Sequence, residues 1–147
     1  MKKLAFASII AVSLLVSTGC EKTKKLECST TQESSVYSMK QVLSATFNGK
    51  NLNTIDQTIT MSINDKYTAY MDKMVDGIKK QYADYEGKKG LSIDVKQDGT
   101  NVIVSMNMEP AKMDKDTLKN LTGTDDYKTE TYENSKASLE KSGYTCK

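Results

Sequence analysis

The sequence predicts an α+β domain: an antiparallel sheet of five to six strands with two helices packed on one face, in the order β-β-β-α-β-β-α-β. Three observations predict it. Residues 37–63 and 91–108 alternate apolar and polar side chains, and each stretch is broken by a turn dipeptide, Asn48-Gly49 or Asp98-Gly99. Between them, over residues 67–85, the apolar spacing changes from two to three and four, the helical period. A second cappable polar-apolar stretch follows Thr131.

In chain order, Leu26 to Gln32 is Thr-rich and weakly alternating, a first strand, and Glu33-Ser34-Ser35 turns the chain. Tyr37, Met39, Leu43, Ala45 and Phe47 then share one parity, with Gln41 as the polar interruption. After Asn48-Gly49, with Lys50 and Asn51 extending the loop, Ile55, Ile59, Met61 and Ile63 share one parity against Thr58, Thr60 and Ser62. The helical stripe is Tyr67, Met71, Met74, Ile78, Tyr82 and Tyr85, with Asn64 or Asp65 as cap and Gly87 as stop. Its tyrosines read as core residues rather than as an aromatic binding strip. Gly90 opens the second hairpin, in which Leu91, Ile93 and Val95 pair with Val102, Val104, Met106 and Met108, Ile103 being out of phase. Pro110 ends it. Met113 to Leu121 holds a short helical turn, with Asp114 or Asp116 as cap and Leu118 and Leu121 inward, and Thr122 to Lys128 is a polar loop. The last helix carries Tyr132, Ala137 and Leu139 and stops at Gly143, before a short extended Tyr144-Thr145-Cys146.

Composition removes several mechanisms. The 147 residues contain no His, and all 21 basic side chains are Lys. There is thus no histidine base or metal ligand, no Ser/His/Asp triad, and no bidentate arginine clamp. No phosphate loop, serine elbow or paired-Cys zinc spacing occurs. Asp114, Asp116, Asp125 and Asp126 form one acidic group and Asp94 and Asp98 another, but a calcium loop begun at Asp114 would place Lys119 where glycine is needed and Asp125 where glutamate is needed. Met39, Met61, Met71, Met74, Met106, Met108 and Met113 could ligate copper; nearly all lie on inward positions, where Met fills cores. The expectation is no catalytic residue, no cofactor and no metal.

The N-terminus reads as an export signal: Lys2 and Lys3, an apolar run from Leu4 to Val16, then small residues before Cys20. As a helix that run rises about 20 Å at ~1.5 Å per residue, short of a ~30 Å hydrocarbon core. Val16-Ser17-Thr18-Gly19-Cys20 resembles the lipobox of bacterial lipoproteins, whose Cys is acylated with diacylglycerol and becomes the first mature residue. Ser17 stands where the pattern prefers Leu, Val or Ile, while the Gly-Cys junction is intact. Two acyl chains suffice for durable anchoring. The expected organisation is a signal peptide at residues 1–19, a lipidated tether at 20–26 and one α+β domain at 27–147. Cleavage removes Lys2 and Lys3 and none of the 19 acids, so the mature chain carries equal numbers of each sign. Neutrality without arginine, like export itself, argues against nucleic acid as a partner. Beyond the anchor, Cys28 and Cys146 remain. Outside the cytoplasm such a pair is most simply a disulfide, with free thiols or a redox or metal pair as alternatives.

The chain as a whole resembles the YehR-like family of small bacterial lipoproteins. The resemblance runs from Cys20 through the Asp98-Gly99 hairpin to the C-terminus; its most telling parts are the acidic-then-Leu segment from Met113-Asp114 to Leu121 and the tail helix leading into Ser142-Gly143-Tyr144. It implies an α+β fold and a lipid anchor and carries over no catalytic residues. Richness in Lys, Asn and Thr resembles a Gram-positive composition. The leading expectation is a non-enzymatic lipoprotein, anchored by Cys20 at the extracytoplasmic face of the cell membrane, that binds an envelope protein or a small ligand. A carboxylate-dependent envelope enzyme and a metal or redox carrier are the alternatives.

Overall fold

The computed structural model describes residues 22–124 and 126–147. The predicted signal peptide, Cys20 and Asp125 lie outside these. Among the described residues six strands form one sheet in the order β4-β5-β3-β2-β1-β6, every neighbouring pair antiparallel. The strands are β1 (Thr23–Glu33), β2 (Tyr37–Asn48), β3 (Asn51–Ile63), β4 (Leu91–Asp98), β5 (Asn101–Met108) and β6 (Thr145–Cys146). The helices are α1 (Met71–Tyr82), α2 (Lys115–Thr122) and α3 (Tyr132–Lys141). The α+β reading and the antiparallel sheet hold.

The differences are local. Periodicity predicts two helices and a short turn, whereas Lys115–Thr122 is a third α-helix. Its cap explains why: one Asp114 carboxylate oxygen accepts from the Thr117 amide and the other from the Thr117 hydroxyl, each at 2.8 Å. Those bonds hold the Asp114 carboxyl below its usual range. Asn48 and Asn51, read as turn and loop, are paired strand residues flanking a two-residue Gly49-Lys50 turn; Gly49 takes φ 61° at the first central position, as II′ hairpins require. On α3 the inward positions are Tyr132, Ser135 and Leu139, and Ala137 is exposed, because the helical spacing from Tyr132 reaches Ser135 and not Ala137.

β1 begins at Thr23, so residues 23–26, assigned to the tether, belong to the sheet. Lys24 and Lys25 make a polar start, but the ladder with β2 runs unbroken from Thr23 opposite Asn48 to Glu33 opposite Ser38. Lys24 reaches over the Tyr132 ring, 5.1 Å from its centroid, to Glu133 at 2.8 Å. A lysine stem can cover apolar surface while its charge stays wet.

All three helices cover the same sheet face, at opposite ends. Leu26, Cys28, Ala45, Phe47, Leu52, Ile55 and Met108 are buried beneath α2 and α3. Ile63, Met71, Val75 and Val102 form the core beneath α1. The other face is Ser- and Thr-rich and uncovered, with Val42 as its exposed aliphatic.

Gly90 connects the two regions. It has φ +75°, and an added Cβ would fall 2.7 Å from Lys112 Cβ and 2.9 Å from the Glu109 carbonyl oxygen. Gly90→Ala is expected to destabilise the fold by about 2 kcal/mol, from left-handed strain plus that overlap. Urea unfolding measures it; an unchanged midpoint would contradict the account.

Candidate binding groove

Because the helices occupy opposite ends of long strands, the covered face is left open between them. Among the described residues two concavities border these strands, and a third, about 570 Å³, lies between Pro110, the start of α2 and residues 126–128. The larger of the two, about 730 Å³, lies between the end of α1 and edge strand β4. Lys79, Lys80, Glu86 and Asp94 line it, and Tyr82 and Tyr85 stand 6.5 Å apart as a tilted pair. Burial, then the neighbouring Tyr85, raises the Tyr82 hydroxyl above its ordinary pKa. No residue that lines it is fully buried, and Lys79, Lys80, Glu86 and Asp94 are exposed.

The smaller concavity, about 450 Å³, lies between the sheet and α2–α3 and has the better-defined walls. Buried Ala45, Leu52, Ile55 and Met108 form its floor with half-buried Leu43. Leu121, Thr122, Gly123 and Thr124 close one side, and Ser135, Ser138, Leu139 and Tyr144 the other. Gln57 and Glu130 supply further polar groups. An apolar floor with a few convergent polar groups is the usual make-up of a small-molecule site, and the volume falls in the ~300–1,000 Å³ range of such sites.

The Tyr144 hydroxyl fixes one corner. It donates to Gln41 Oε1 at 2.6 Å, which anchors the segment between α3 and β6 on β2. Burial raises its pKa above the ordinary value, so it remains a neutral donor at physiological pH. Gln41, the polar residue on an otherwise apolar parity, is thereby explained. Gln57 is a second such residue, on the same face of β3.

The remaining candidates have structural placements. Cys28 and Cys146 are bonded, directly opposite one another in the β1–β6 ladder, and the Lys147 amide donates to the Glu27 carbonyl at 2.8 Å beside them. Asp114 caps α2, Asp126 accepts from the Lys128 amide in a turn, and Asp98 ends β4 at the hairpin. All seven methionines beyond the N-terminal one are at least half-buried, Met71, Met106 and Met108 fully so. Among the described residues no three Cys, Asp or Glu side chains gather as a metal site would require. None of the described helices is long and apolar enough to cross a membrane. The sequence reading missed the groove itself, whose lining comes from β2, β3, β5, α2 and α3 together. The two inward glutamines were the available signal.

No family model and no curated protein matches the sequence. Two solved structures are similar to it. The NMR structure of Escherichia coli YehR is 11% identical and has a TM-score of 0.64, covering 84% of this chain and 91% of that one. The NMR structure of a protein from Streptococcus pneumoniae TIGR4 is 12% identical with a TM-score of 0.55, covering 100% of this chain and 97% of that one. At these identities the likeness concerns the fold, which is YehR-like.

Proposed function

We propose that the protein is a lipoprotein of the extracytoplasmic membrane face, held by diacylated Cys20, that binds a small amphipathic ligand without chemical conversion. The groove above Ala45, Leu52, Ile55 and Met108 carries this reading, being a shaped apolar surface with polar groups at its rim. The signal-like N-terminus and the Cys28–Cys146 bond, which suits an oxidising compartment, support the location. A carboxylate-dependent hydrolase needs two acids held at separated pKa values. Among the described residues Glu130 is the one acid in the groove lining. YehR-like lipoprotein membership, implied by the sequence resemblance, is part of the proposal.

The test fills the groove. Ser138 is exposed on its wall, and Ser138→Trp places an indole over the floor. The wild-type protein is expected to bind anilinonaphthalene sulfonate one-to-one, and Ser138→Trp at least tenfold more weakly at an unchanged melting temperature. Equal binding by both, or none by the wild type, overturns the assignment. Intact mass of protein recovered from cells tests the anchor independently: the expected species starts at Cys20 and carries a diacylglyceryl group.

A further inference from the structure

We infer that the domain stands directly on the lipid surface, seated on the end that holds the β2–β3 turn, with its strands rising away from the membrane. The inference rests on lipidation at Cys20. Its own basis is the length of chain between that residue and the first rigid element. β1 begins at Thr23, so Glu21 and Lys22 alone separate it from the anchored cysteine. Three residue steps reach at most about 11 Å at ~3.6 Å each. A leash that short cannot let the domain tumble above the bilayer.

The start of β1 is also fastened against peeling away, which would lengthen the leash. Thr23 faces Asn48 in the ladder, and its hydroxyl meets Asn48 Oδ1 at 3.2 Å. Lys24 binds Glu133 at the start of α3 and covers Tyr132. The seated end therefore comprises the leash, the Asn48-Gly49-Lys50-Asn51 turn and the N-terminus of α3. Its charge suits anionic headgroups. The acids beside the leash, Glu27 and Glu133, are each held by a lysine, Lys25 at 2.6 Å and Lys24 at 2.8 Å. Against Glu21 in the leash, Lys22 and Lys50, which make no ion pair among the described residues, leave a positive excess to face phosphates.

At the other end lie the Ser34-Ser35 turn, the start of α1 and the Asp98-Gly99 hairpin. The register of β3 with β2 and β5 puts Asn51 and Asp98 near opposite ends of the sheet. The 13 residues of β3 span about 40 Å at ~3.3 Å each. The Leu52 end of the groove, next to Asn51, would sit beside the headgroups.

The experiment uses the full lipidated protein, purified from cells and reconstituted into phosphatidylethanolamine–phosphatidylglycerol vesicles containing headgroup-quencher lipid. A fluorophore is attached in turn to Lys50→Cys and Asp98→Cys. Quenching at position 50 is expected to exceed that at 98 at least fivefold. Inserting a twelve-residue Gly-Ser linker after Lys22 is expected to reduce the ratio below twofold. Equal quenching at both positions in protein whose mass shows the diacylglyceryl group overturns the seated orientation and leaves the anchor intact. A linker variant that keeps the full ratio overturns the leash as its cause. Protein lacking the lipid mass overturns the anchor and this inference together.

Discussion

Replacing Cys28 and Cys146 together by alanine is expected to lower the melting temperature by roughly 12–25 °C. The bond joins residues separated by 118 positions, and closing a loop of that size removes about 4–5 kcal/mol of unfolded-state entropy in the chain-entropy account. For a domain of this size, each kcal/mol moves the midpoint by roughly 3–5 °C. Whole domains have only about 5–15 kcal/mol to lose. Alanine is chosen because Cys28 is 2% exposed, and a serine hydroxyl buried there would add a penalty unrelated to the cross-link. Thermal unfolding followed by circular dichroism measures the shift, and reductant added to the wild type should reproduce it. β6 should loosen first: its ladder consists of Cys146 opposite Cys28 and Thr145 opposite Ser29. A midpoint within 2 °C of the parent would show that the sheet closes the loop without the bond.

The sequence's alternation was enough to read β2 to β5, because each strand buries one face and therefore repeats every second residue. Ile55, Ile59, Met61 and Ile63 keep that parity, and all line the helix-covered face. Leu52 does not share it and is nonetheless 5% exposed. The register shifts between Thr46 and Phe47, leaving Asn53 as an extra residue in β3, so that Leu52 and Ile55 both face the core. No pattern in a single strand announces such a bulge. The helical stripe from Met71 to Ile78 was equally plain, although Val75, 8% exposed, belongs to it as well. Gly77 beside these lies in open space, so its small side chain is not a packing requirement. The groove was illegible for a different reason. Parity says that Leu43, Ala45 and Ile55 face inward, but whether a helix lies over them or beside them depends on where α2 and α3 settle. That is fixed by long-range contacts, such as Tyr144 to Gln41 across 103 positions, which local periodicity does not contain.

Phe47→Ala is expected to cost about 3–5 kcal/mol, the usual range for emptying a fully enclosed aromatic site. Phe47 is 0% exposed in the core with Leu26 and Leu52, and its ring meets Tyr132 edge-on, with centroids 5.8 Å apart and planes at 75°. Such a pairing contributes about 0.5–1.5 kcal/mol beyond burial. Tyr132 is the first residue of α3, so the cavity opens beneath that helix. What then holds α3 is Leu139 and the exposed Lys24–Glu133 pair, with side chains 52% and 68% accessible, and surface pairs of this kind contribute little. Loosening should therefore concentrate at one end of the molecule. α1 packs on Ile63 and Val102 in the other buried cluster, which does not include Phe47. Hydrogen exchange in Phe47→Ala is expected to accelerate in α3 at least tenfold more than in α1 under conditions where the variant remains folded. The groove wall formed by Ser135, Ser138 and Leu139 would loosen with it, so probe binding should fall before the sheet unfolds. Equal acceleration in both helices would mean that the two buried clusters melt as one cooperative unit, and the groove could not then respond separately from the rest of the fold.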